Sequence, residues 1–196
     1  MALAHYTYIE LPAHHKPGGF DHAAVHRASA RLYVAHTAND ALDVIDCATD
    51  RYLHSILNLI GVAGALVSDE RHLVFTSNRG ENTVGIFAPN AETALTKIPV
   101  GIGPNGLAYD PERHLLLAAN VGDPAQPGST TVSLVDVGAH AVVAHVPVPG
   151  RTRWAVFDPR QEDPCHPRFS ITLAAPAARA PGQLSRRPPP ALVPRL

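Results

Sequence analysis

The residues of this chain best equipped for chemistry are its histidines and carboxylates. His14, His15, His22 and His26 lie close in sequence, and the His22-x3-His26 spacing converges two rings on a metal if the segment is helical. Pro17-Gly18-Gly19 stands just before the pair, and the residues around it are strand-like. On a strand the two rings share a face about 13 Å apart. With no cysteine beside them and Asp21 the nearest carboxylate, they read as surface or loop histidines. No metal and no cofactor is expected. Asp40, Asp43 and Asp46 are spaced at threes, which alternates them across a strand instead of gathering them into a cage. Asp46 matches Asp136 at the end of a similar run, a place where an Asp side chain caps the following turn.

Gly101-Ile-Gly-Pro-Asn-Gly106 matches the dinucleotide fingerprint, but that chemistry requires the glycines to open a helix that holds a pyrophosphate. Leu107-Ala-Tyr-Asp-Pro111 follows instead, an extended run ended by a proline. No Gly-x-Ser-x-Gly elbow, His-Glu-x-x-His or Cys-x-x-Cys occurs, and Cys47 and Cys165 have no metal-ligand spacing. No catalytic residue is assigned. The formal charge of −1 supplies no basic field for nucleic acid or a membrane surface. No apolar run approaches the ~20 residues a membrane helix needs, and no secretory leader is visible, so a cytoplasmic protein is expected.

The organising feature is a repeat of 42 residues. Gly64–Asn78 and Gly106–Asn120 share six identical positions at that spacing: the Gly, Glu, Arg, His, one Leu and the final Asn. Arg31–His36 is an earlier copy, and Trp154-Ala-Val-Phe-Asp-Pro159 opens a later one. Each copy reads as four short strands, with second strands at 32–35, 73–76 and 115–118. Third strands alternate at 42–46, 84–88 and 132–136, and fourth strands cover 51–57, 95–100 and 142–148. His72 and His114 are equivalent, each at the start of a second strand, and suit a turn or a hydrogen bond between repeats. Four strands per ~40–45 residues is the period of a propeller blade.

The Leu-Tyr-Val-Ala element at 32–35, Val-Ile-Asp at 44–46 and Gly-x-x-Pro-Asn-Gly-Leu-Ala-Tyr-Asp-Pro at 101–111 resemble YVTN-type β-propeller repeats. The resemblance implies an all-β fold of four-stranded blades. About three to three and a half blades fit into residues 20–159, where family members usually carry about seven. Residues 1–19 form a lead-in, and Asp123–Thr130 reads as an exposed insertion. Residues 160–196 hold eight prolines and six arginines against two acids, and are expected to be a disordered tail. The abrupt end of the pattern suggests a reading frame shifted after Pro159.

Blade geometry then selects a ligand face, because second-to-third loops and blade-to-blade loops lie at the same end. The first set carries His36, Asn39, Asp40, Asn78, Arg79, Glu81, Asn82, Asn120 and Asp123. The second carries Asn105, Arg151, Arg153 and Trp154. The expectation is a non-catalytic scaffold that binds a protein or small ligand there and self-associates through the open edges of an incomplete ring. The alternative is a propeller lactonase-like hydrolase acting on a sugar lactone.

Overall fold

Left-handed residues punctuate the chain at recurring places. Ala30, His72 and His114 stand between first and second strands, Asp40 and Asn82 between second and third, Asp50 and His140 between third and fourth. All have a side chain, and each left-handed conformation costs a non-glycine residue about 1 kcal/mol. Pairing of the strands on either side must hold them. His72 and His114 therefore have the turn role expected of them.

The computed structural model describes residues 6–158 and 169–173. Its strands are β1 (Phe20–His26), β2 (Arg31–His36), β3 (Ala41–Asp46), β4 (Arg51–Ile56), β5 (Val62–Ser68), β6 (Leu73–Asn78) and β7 (Thr83–Phe87). They continue with β8 (Thr96–Pro99), β9 (Pro104–Asp110), β10 (Leu115–Asn120), β11 (Thr131–Asp136), β12 (Ala141–Pro147), β13 (Thr152–Phe157) and β14 (Phe169–Leu173). Three antiparallel sheets of four strands each follow chain order, β1–β4, β5–β8 and β9–β12, and a fourth contains β13 and β14. These are β-propeller blades, three complete and one represented by two strands. No helix among the described residues is long and apolar enough to cross a membrane.

The stretch after Pro159, expected as tail, contains β14. Its register places Ile171 opposite Ala155 and Phe169 opposite Phe157, and these four side chains pack on Ala108, Leu117 and Val132 of the third blade. A hydrophobic alternation of three residues, Phe169 to Leu173, was enough to pair once β13 offered an edge. The rest of residues 160–196, where disorder was expected, lies outside the described residues.

Apolar side chains are sandwiched between blades. Tyr33, Leu42 and Val44 of the first blade meet Val62, Val74 and Phe87 of the second, and Phe75, Val84 and Ile86 meet Leu107, Tyr109 and Leu116 of the third. Each such side chain contributes roughly 1.5–3 kcal/mol through burial. Burial also pushes the Tyr33 and Tyr109 phenols above their ordinary pKa. Inner strands pack in sequence, β1 on β5, β5 on β9 and β9 on β13, which sets the blades around a common axis.

Candidate functional site

Propeller geometry brings the expected loops to one end of the arc, and most of their polar residues are spent on holding backbone. Asp40 and Asn82 are equivalent. Asp40 Oδ1 accepts the Gly61 N–H at 2.6 Å, and Asn82 Oδ1 accepts the Gly103 N–H at 2.8 Å. Gly61 and Gly103 take φ of +63° and +65° there, a conformation that favours glycine. The second-to-third loops of the first two blades thus clamp the entry to the next blade. The glycine-rich fingerprint ends in β9, not in a helix, so its glycines serve this turn.

Asn39 and Asp40 also pin the lead-in. Asn39 accepts the His15 N–H at 2.8 Å and donates to the Ala13 carbonyl at 2.9 Å, while Lys16 reaches both Asp40 oxygens at 2.6 Å. Desolvation acts to raise the Asp40 pKa, but the bonds from Lys16 and Gly61 outweigh it and leave the carboxyl below its ordinary range. Glu81 pairs with Lys97 at 2.8 Å. Asp123 accepts the Ala125 N–H at 2.9 Å and so folds its own insertion loop. Asp46 and Asp136 cap turns as expected, accepting from Ala48 at 2.7 Å and Ala139 at 2.9 Å.

His36, Asn78 and Asn120 end the second strands of successive blades, and all are fully buried. Asn78 donates to Thr83 Oγ1 at 2.9 Å, and Asn120 donates to Thr131 Oγ1 at 2.9 Å and Ser133 Oγ at 2.8 Å. In the first blade the row is ionisable: His36 Nδ1–H donates to Asp43 Oδ2 at 2.8 Å, and Ser55 Oγ–H donates to Asp43 Oδ1 at 2.5 Å. The carboxylate lies between the other two groups, so the imidazole does not meet the serine hydroxyl as it does in a Ser-His-Asp triad. Strand alternation turns His36 and Asp43 away from the second blade, and the His14 and Phe20 rings cover His36 at 4.9 and 4.3 Å. Sequence reasoning placed His36 on the ligand face and left Asp43 alone. The pairing is a consequence of strand register, which spacing by seven does not announce.

The histidines at 22 and 26 part company. His22 Nδ1 lies 2.9 Å from the Ala63 carbonyl. His26 is buried, not on the surface, with Nδ1 at 2.7 Å from Ser29 Oγ and Nε2 at 3.2 Å from His72 Nδ1, a bond across the first seam. Among the described residues no group of three His, Cys, Asp or Glu is arranged to hold a metal.

What remains open to a ligand surrounds the axis. The third residues of the inner strands, His22, Gly64, Gly106 and Trp154, form one level. A Cβ at Gly64 would lie 2.7 Å from the Asn105 carbonyl oxygen, and one at Gly106 2.7 Å from that of Arg153, so the two middle positions are glycine because the next strand crosses them. At the ends stand His22 and Trp154, whose rings meet edge to face with centroids 4.7 Å apart. Above them Arg79 Nη2 donates to Asn105 Oδ1 at 2.7 Å and approaches Asp21 at 3.6 Å. Arg151, Arg153 and Trp154 are exposed. His22 and Asp21 were missed as site residues; the equal spacing of 22, 64 and 106 was the available signal.

No family model matches this sequence, and no curated protein does. Among solved structures, the chain is similar to Kuenenia stuttgartiensis hydrazine synthase, with a TM-score of 0.65 at 14% identity, over 81% of this chain and 43% of that one. At that identity the likeness shows the fold alone. The chain spans under half the length of that neighbour.

Proposed function

We propose that the chain is a non-catalytic propeller scaffold of the YVTN type, which presents the loop end of its arc to a protein or small ligand and self-associates through its end blades. The observation that carries this reading is the division of labour at the loop end. Asp40, Asn82, Asn39, Glu81 and Asp123 hold the frame, while Trp154, Arg79, Arg151 and Arg153 remain presented around the axis. That is a rigid frame with exposed contact groups. Val25, Leu53 and Leu57 in the first blade are exposed apolar side chains that suit association at that end.

Light scattering of the full chain over a wide concentration range tests the reading. Reversible association, weakened by Leu53→Glu with Leu57→Glu, is expected. A strict monomer at every concentration sinks the association, and lactone hydrolysis abolished by Arg79→Ala sinks the non-catalytic assignment.

A further inference from the structure

We propose that the axial side of the arc binds a small amphipathic anion: a carboxylate or sulfonate head on a flat or linear apolar body. The inference rests on the scaffold reading and names the ligand class it serves. A groove of about 450 Å³ runs along the inner strands, with Leu66, Leu107, Ala155, Val156 and Phe157 in its walls. A smaller cavity of about 160 Å³ beside it, bounded by His22 and Trp154, shares Leu66, Leu107 and Ala155 with the groove. The groove is within the ~300–1,000 Å³ typical of small-molecule sites and has their mostly apolar walls.

Charge orients the occupant. At the loop end Lys16 is matched by Asp40, Lys97 by Glu81 and Arg79 by Asp21. Arg151 and Arg153 meet no carboxylate among the described residues and are exposed where β13 begins. At the far end of the groove Glu70 and Arg71 match each other, 3.6 Å apart. The head therefore sits at the Arg151–Arg153 end. Along β13, at about 3.3 Å per residue, Val156 lies roughly 10 Å below Arg153. That is the reach of a fused aromatic ring pair or a medium alkyl chain.

Trp154 is the chain's one tryptophan and reports from inside the site. The full chain is titrated with anilinonaphthalene sulfonate, following energy transfer from Trp154 to the dye. One saturable site per chain is expected, with strong transfer. Arg151→Gln combined with Arg153→Gln should weaken binding roughly tenfold. Val156→Glu, which puts a like charge in the groove at an exposed position, should weaken it at least as much. Val143→Glu, an equally exposed change on β12, should leave it unaltered. Octanoate should displace the dye and octanol should do so far less well.

Equal loss in Val143→Glu and Val156→Glu would mean general adhesion to exposed apolar surface and overturn the site. Equal displacement by octanol would overturn the anion. Neither result touches the association measured by light scattering, so the two readings fail separately.

Discussion

The middle of the arc and its two ends use the same strand position in opposite ways. At Gly64 and Gly106 the neighbouring backbone crosses so closely that a single added carbon would overlap it. At His22 and Trp154 the position carries two aromatic rings, touching each other across the axis. In the middle, packing between blades dictates the residue. At the ends no such crossing constrains Trp154, and the side chain is available for contact with something else. The contrast sets close backbone packing in the middle of the arc against an exposed ring at its end.

The comparison breaks most directly in the core. Phe75→Ala, removing a fully buried ring from the seam between the second and third blades, should cost about 3–5 kcal/mol in chemical denaturation. A loss no larger than that of an exposed position would mean that this seam is not where stability resides. Gly106→Ala should cost about 1–3 kcal/mol, since its new methyl meets the backbone of Arg153, Trp154 and Ala155. If it is neutral, the close crossing is not a constraint.

Trp154→Ala sharpens the contrast from the other side. It removes a ring that is 52% exposed and should cost only ~1 kcal/mol or less, chiefly the edge contact with His22. A loss as large as that of Phe75→Ala would make the ring contact a structural clasp.

The smallest expected effect concerns the lead-in. The carboxyl of Asp40 titrates below its ordinary value when folded, so its stabilising contribution is complete above the unfolded pKa of about 3.9 and is lost as the pH falls through the lowered value. Proteolysis at residues 6–16 should accelerate under acid before the blades melt, and Lys16→Met should remove that pH dependence.

Much of the frame was legible because a few local signals recur. Period-two alternation gave the strands, and Asp-Pro, Gly and Asn marked the turns. The same period carried each element from one blade to the next. Asp43 was not legible as a partner of His36, since the register that joins them is set by the whole β2–β3 pairing. β14 was hidden for another reason. Ten residues rather than the usual handful separate it from Asp158, and the prolines at 164 and 167 break the expected hairpin spacing. Arg79 lies in the turn after β6, where a loop was read, whereas Trp154, read as a loop residue, lies within β13. That Asn39 spends its amide on the lead-in, and Asn120 its own on two hydroxyls, follows from contacts between segments that no local pattern encodes.

The paired clamps have a temporal meaning as well. In both, the earlier residue is the acceptor and the later one the donor: Asp40 receives Gly61, and Asn82 receives Gly103. The backbone repeats the same direction, with Leu59 donating to Asp40 and Val100 to Asn82. A blade emerging from a ribosome at about 5–20 residues per second therefore finds its docking point already synthesised. Each repeat then takes a few seconds to make and can latch onto its predecessor as it appears. At these two clamps the order of synthesis and the order of assembly coincide.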